Sequence, residues 1–210
     1  MPIIALTFDD GPNTVITPQV LDTLEENGAV ATFFLIARNI TPESAGVVRR
    51  AKAMGCDIEN HSLTHSFMNQ MTEEEIRAEV QTCTDRITEI TGTAPSFFRP
   101  PFIAVSQAMY DVIDLTFICG VGCEDWVPDV SAQERTRRVL ANAEDGQIVL
   151  LHDMEWNRNT ADALKVIVPE LKKRGFRFVT CAQLFEEKGV IPQRGWLYSN
   201  ALQTVSDNRL

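Results

Sequence analysis

The sequence predicts an α/β domain, a barrel of about seven parallel strands with helices outside it, and three observations carry that reading. Short apolar runs alternate with helix-length amphipathic stretches along nearly the whole chain, and repeated strand–helix units build parallel sheets covered by helices. The succession shows neither the mirrored halves of a dinucleotide-binding fold nor an internal repeat, so seven strands in a row suggest a barrel. Finally, Asp9-Asp10, His61, Arg99 and His152 stand at the carboxyl ends of the first, third, fourth and sixth predicted strands, where parallel barrels gather functional side chains.

The strands are expected at Ile3 to Phe8, Ala31 to Ile36, Cys56 to Asn60, Phe97 to Arg99, Leu115 to Cys119, Ile148 to Leu151 and Phe176 to Thr180. Each is a short apolar run of the kind found in strands buried on both faces. Between them, helical patterns cover Thr17–Asn27, Glu43–Met54, Thr72–Thr91, Gln107–Val112, Ala132–Ala143 and Thr160–Lys173. The third is the best formed. Thr72-Glu73-Glu74-Glu75 reads as a capping box ahead of the apolar series Ile76, Val80, Ile87 and Ile90. Gly92 and Pro95 follow it as helix terminators. After Gly195 the chain is polar and weakly patterned, so residues 1–210 read as one domain with a C-terminal extension from about 195.

The length of 210 residues suits a single core. A net charge of −10 speaks against nucleic acid, whose phosphates need a basic patch, and favours a neutral polymer or small neutral substrate. The five cysteines, Cys56, Cys83, Cys119, Cys123 and Cys181, are odd in number and lack paired spacing. They read as buried thiols, not as a disulfide framework or a structural zinc site. Free thiols imply a reducing compartment, or an anaerobic source in which they survive outside the cell. No run approaches the ~20 apolar residues of a membrane span, and Met1-Pro2 leads directly into strand-like residues without a signal peptide. The chain is therefore expected to be either cytoplasmic or a module of a longer secreted protein, and a soluble monomer.

All three histidines lie in two motifs, His61-Ser62-Leu63-Thr64-His65 and Leu150-Leu151-His152-Asp153. Thr7-Phe8-Asp9-Asp10-Gly11-Pro12 supplies a pair of aspartates ahead of them. Imidazole is both the commonest metal ligand and the usual proton shuttle near neutral pH. Two imidazoles and one carboxylate suit a catalytic divalent metal, and a second carboxylate beside them suits a base. A metal-dependent hydrolase is the chemistry these residues point to.

With Arg99-Pro100-Pro101-Phe102 and Asp125-Trp126, these motifs resemble, in order and over roughly Ile3 to Phe185, the polysaccharide deacetylases of carbohydrate esterase family 4, the NodB-homology family. More narrowly the chain looks like the acetylxylan esterase modules of plant-cell-wall degraders. The resemblance implies a distorted (β/α) barrel holding one divalent metal on Asp10, His61 and His65. Histidines four apart stand one above the other on a helical turn and so can share an ion; nitrogen and carboxylate donors suit zinc or cobalt. It further implies Asp9 as general base, Arg99 as the residue orienting it, and His152 as general acid. Phe102, in the Pro101-Phe102 segment at the substrate, lends its backbone N–H to the oxyanion, and Trp126 and Leu150 form a pocket for the acetyl methyl.

The family usually places an aspartate three residues before that of Asp-Trp, where it orients the catalytic histidine; here the position is Gly122, with Glu124 or Asp125 as substitutes. A histidine without a carboxylate partner is less well tuned as the catalytic acid and suits an ester leaving group better than an amide. The expected function is O-deacetylation of acetylated xylan. Acting on peptidoglycan or chitin as an N-deacetylase is the runner-up. Further alternatives are a small-molecule amidohydrolase and a carbohydrate-binding module without catalysis.

Overall fold

The computed structural model describes residues 1–204. Nine short strands form one sheet in which every strand pairing is parallel. The strands are β1 (Ile3–Asp9), β2 (Thr32–Leu35), β3 (Asp57–Asn60), β4 (Phe97–Phe98), β5 (Thr116–Ile118), β6 (Val121–Gly122), β7 (Ile148–His152), β8 (Arg177–Phe178) and β9 (Leu197–Tyr198). They run in the order β6-β7-β1-β2-β3-β4-β5-β9, with β8 against the start of β1. Helices α1 (Ile16–Glu26), α2 (Ala45–Ala53), α3 (Glu73–Thr91), α4 (Gln107–Val112), α5 (Ala132–Asn142), α6 (Arg158–Lys173) and α7 (Cys181–Lys188) complete the distorted (β/α) barrel.

β1 shows why these residues make a central strand. Ile4, Leu6 and Phe8 join the cluster packed under α1 and α6, whereas Ile3 and Ala5 join the cluster on the opposite face. Successive side chains point to opposite faces, and here both faces are covered. Outside the sheet α3 begins as predicted, with the Thr72 and Glu75 side chains each accepting from the other's backbone N–H, and Gly92 ends it at φ +71°.

The segment read as an extension does structural work as far as the described residues go. β9 pairs with β5, and just beyond it the Ser199 carbonyl accepts the Ile148 N–H at 3.0 Å while Gln147 bridges Asn200. Residues 197–200 thus link the β5 edge to β7. The remaining part of the predicted extension, 205–210, lies outside the described residues. Two further elements escaped the sequence reading. β6 is only two residues long, and α7 opens with a second capping box, Thr180 with Gln183. All five cysteines are free; four are buried and Cys119 is partly exposed. Among the described residues no helix is long and apolar enough to cross a membrane.

Candidate active site

Strand register assembles the site. Asp9 ends β1 directly opposite His152 at the end of β7, and Asn60 at the end of β3 pairs with Phe98 of β4. His61 and Arg99 are the next residues on those two strands, so they emerge side by side. The four strand ends open into one cleft of about 910 Å³, lined by Asp9, Asp10, His61, His65 and His152 among others.

Asp10 leaves the strand at φ +74°, a left-handed conformation that aspartate tolerates better than most residues. Gly11 follows under a steric demand: a Cβ there would lie 2.8 Å from both carboxylate oxygens of Asp153. Asp153 is fully buried, and its carboxyl accepts a hydrogen bond from the Thr17 hydroxyl. Burial, with Asp10 and Asp9 nearby, pushes its pKa up to about 7.

The two histidines expected to bind a metal, His61 and His65, are not on a helical turn. They lie in a loop after β3 in which Ser62 and His65 both have positive φ, +68° and +60°. Side-chain hydrogen bonds hold that loop. Asn60 accepts the Ser62 N–H, Ser62 accepts the His65 N–H, and the Glu79 carboxylate of α3 accepts from Leu63 N–H, Thr64 N–H and the Thr64 hydroxyl. The His–x3–His spacing therefore works through a pinned loop instead of helical periodicity. Neither Asn60 nor Glu79 was singled out from the sequence.

Asp10, His61 and His65 converge, with their nearest ligand atoms all within 4.8 Å of one another. Asp10 Oδ1 stands 3.5 Å from His61 Nε2 and 3.4 Å from His65 Nε2, and it is buried without a hydrogen-bond partner. A buried carboxylate oxygen without a partner is costly unless a cation meets it. His61 Nδ1 lies 2.7 Å from the Arg99 carbonyl, which can only accept, so the proton sits on Nδ1 and the Nε2 lone pair faces the site. Burial opposes ionisation of Asp10, yet the adjacent imidazole of His61, with those of His152 and His65, brings its pKa down to about 2. Orphan oxygen, tautomer and donor chemistry all fit one divalent ion.

Asp9 lies beside this site but is held elsewhere. Its Oδ1 accepts from Arg99 Nη1 at 2.5 Å, and its Oδ2 is 3.6 Å from His61 Nε2. Arg99 is completely buried, its guanidinium 4.2 Å from the centre of the Phe34 ring.

His152 does have a carboxylate partner, which corrects the expectation drawn from Gly122. Asp125 Oδ1 accepts His152 Nδ1–H at 2.8 Å, and its Oδ2 accepts the His152 backbone N–H at 2.7 Å and the Thr160 hydroxyl at 2.8 Å. The aspartate of Asp-Trp itself fills the role, one of the two substitutes considered; Glu124 turns to an exposed pair with Arg138. Behind Asp125 stands the buried Arg135, which donates to Thr160, Asn157 and the carbonyls of Val127 and Val130. Asn157 in turn donates to the His152 carbonyl. This support escaped the sequence reading because an arginine in an amphipathic helix pattern looks like any surface arginine. Burial lowers the His152 pKa, but the Asp125 hydrogen bond and charge, with Asp9 and Asp10, raise it to about 9.

Of the residues expected at the substrate, Phe102, Trp126 and Leu150 line the cleft. Pro101 is buried and does not, the preceding Pro100 lining it instead. Phe102 has φ +59°, which turns the chain sharply beside His65. The Trp126 ring meets His152 edge-on at 5.6 Å and lies over Gly122, where a Cβ would come within 3.1 Å of the indole and 3.7 Å of Leu150. The missing side chain at Gly122 makes room for Trp126; it does not deprive His152 of its partner.

Residues 1–116 match the polysaccharide deacetylase family. A bifunctional xylanase/deacetylase of Pseudobutyrivibrio xylanivorans is 46% identical over 190 residues, covering 90% of this chain and 31% of that protein. A peptidoglycan-N-acetylglucosamine deacetylase of Listeria monocytogenes is 37% identical over 88% of this chain and 39% of its own length. The chain thus spans well under half of these two relatives. The structure of a family 4 acetyl xylan esterase from Clostridium thermocellum, in complex with a cobalt ion, superposes with a TM-score of 0.92 at 37% identity, covering 96% of this chain and all of that one.

Proposed function

Because this chain belongs to the polysaccharide deacetylase family, we propose that it is a metal-dependent hydrolase that removes O-acetyl groups from acetylated xylan. The observation that carries the chemistry is the buried, unpartnered Asp10 oxygen facing two imidazoles. The same cleft holds an Arg-paired aspartate and an Asp-paired histidine. The choice of xylan is supported by the xylanase/deacetylase and the acetyl xylan esterase among the relatives.

Asp10, His61 and His65 would hold the ion, zinc or cobalt by donor type. A divalent ion bound there acts as a Lewis acid on the acetyl carbonyl and makes water a better nucleophile. Asp9, kept in place by Arg99, takes the proton of the attacking water. The Phe102 N–H donates to the carbonyl oxygen as it gains charge. Trp126 and Leu150 receive the acetyl methyl and crowd out longer acyl chains. His152, protonated at neutral pH because of Asp125, gives its Nε2 proton to the departing oxygen.

The His152–Asp125 pair also favours a second reading. An imidazolium this well supported can protonate an amide nitrogen, so N-deacetylation of amino-sugar polymers is chemically open to the same site. Acetate release decides between them, measured on acetylated xylan and on N-acetylglucosamine oligomers, after chelation and after restoring zinc or cobalt. Metal-restored release from xylan is the expected result. Release only from the amino-sugar oligomers would reverse the substrate, and release unaffected by chelation would refute the metal site. We further propose that the domain works as an extracellular, monomeric unit beside other modules of a cell-wall-degrading enzyme.

A further inference from the structure

The four exposed aromatic side chains among the described residues, Phe67, Phe102, Trp126 and Trp156, all lie at or beside the cleft. Three of them line it. Phe67 does not: it stands just outside the rim, stacked on Phe102 with ring centroids 4.0 Å apart and planes 13° from parallel. Edge-on contacts continue inward, from Phe102 to His65 at 4.5 Å and from His65 to His61 at 4.8 Å. An aromatic ladder therefore leads from the metal-site imidazoles out to the surface.

Its outer rung has no evident packing role. The chain makes one 3-10 turn at Met68–Gln70, in which Met68 is wholly buried while Phe67 remains 50% exposed and Phe102 53% exposed. Packing is thus served by Met68, and two half-exposed phenyl rings side by side form the kind of apolar patch that marks a binding surface. Rigid aromatic faces supply contact area with little entropy loss and suit ligands with flat apolar faces. The patch carries no charge of its own and is continuous with the cleft.

We propose that Phe67, supported by Phe102, is a subsite for a neutral pyranoside ring of the polysaccharide chain, next to the sugar whose acetyl group is removed. This rests on the reading of the cleft as a polysaccharide site. The C–H face of the sugar lies on the Phe67 ring, and its hydroxyls remain in water. Phe67 touches neither the reacting acetyl group nor the proton carriers, so it acts on polymer recognition alone.

The test compares the metal-loaded parent with Phe67→Ala and Phe67→Trp on three ligands: acetylated xylo-oligosaccharides, a small acetyl ester (4-nitrophenyl acetate), and unacetylated xylohexaose by titration calorimetry. Loss of one aromatic contact worth up to about 1.5 kcal/mol corresponds to roughly a three- to tenfold effect. Phe67→Ala is expected to lower kcat/KM on the oligosaccharide and weaken xylohexaose binding by that factor. Turnover of the small ester should stay within about twofold, and Phe67→Trp should restore the oligosaccharide rate. An unchanged oligosaccharide rate, or equal loss on oligosaccharide and small ester, overturns the subsite. If the parent releases no acetate from any oligosaccharide, the functional reading fails instead, and calorimetry still decides the subsite. A Phe67-dependent affinity for xylohexaose supports it; equal or absent binding in both proteins rejects it.

Discussion

Replacing Asp125 by Asn is the sharpest perturbation of the proposed acid. Asp125 Oδ2 accepts the His152 backbone N–H, so an Asn carbonyl must take that place and turn its NH₂ toward His152 Nδ1. Nδ1 then has to accept, which reverses the tautomer and removes the anion that stabilises the imidazolium. In the parent, His152 titrates at about 9 against an ordinary 6.5, a gap of roughly 3 kcal/mol at ~1.4 kcal/mol per unit. After burial, which works the other way, Asp125 is the largest contributor; Asp9 and Asp10 add less. A cation on Asp10 weakens those two contributions and leaves Asp125 as the main support. The expected result is an alkaline limb of kcat/KM displaced downward by ~1–2 units. At about pH 8 that shift lowers the protonated fraction of His152, and with it the activity on esters, by about two- to tenfold, and activity on amides, whose leaving group depends more on the acid, further. Metal affinity should be preserved, because no ligand is touched. The assay is kcat/KM against pH with the metal saturating. An alkaline limb that stays in place would refute the assignment of His152 as an acid tuned by Asp125.

Three other substitutions separate the remaining assignments. Asp9→Ala should retain the metal by titration calorimetry while losing about 10²–10⁴-fold in turnover, whereas His61→Ala should lose both. Parent-level turnover in Asp9→Ala would exclude it as the base. Gly122→Asp should lower activity on esters and amides alike, since its Cβ would come within 3.1 Å of the Trp126 ring and displace it; a selective gain on amides would show that the new carboxylate reaches His152. Glu59 accepts the N–H groups of Ser96 and Phe97, both at 2.8 Å, and burial pushes its pKa up to about 8. A folded value above the ordinary 4.5 means stability fully present below pH 4.5 and lost as pH rises through about 8. Glu59→Gln keeps an acceptor without the ionisation, so urea unfolding should show it gaining on the parent as pH rises from about 5 to about 9, by roughly 3–5 kcal/mol at most. Parallel stability curves would refute the buried carboxyl's role.

What was legible in the sequence follows the range over which each physical signal acts. The alternation of apolar runs and amphipathic helices is local, and it placed the first six helices and seven of the strands to within a few residues. The convergence of Asp10, His61 and His65 with Asp9, Arg99 and His152 was legible because the motifs stand at strand ends and parallel register does the rest. The mistakes concern what lies between motifs. The histidine spacing was compatible with a helical turn, yet Asn60 and Glu79 satisfy the backbone of an irregular loop, and no periodicity announces that. Gly122 looked like a missing carboxylate because sequence distance stood in for spatial distance. In the fold, β6 runs beside β7 with Gly122 opposite Leu150, and Asp125 reaches His152 from the loop beyond. Arg135 supports that loop from within the core, and burying an arginine is sustainable only where carbonyls and hydroxyls meet its donors. A side chain that ties the carbonyls of the preceding loop to Asn157 and Thr160 of a distant segment is not announced by the helical periodicity around it. The Asp125–His152 pairing is therefore a property of the fold, whereas the convergence of Asp10, His61 and His65 was already written in the motifs.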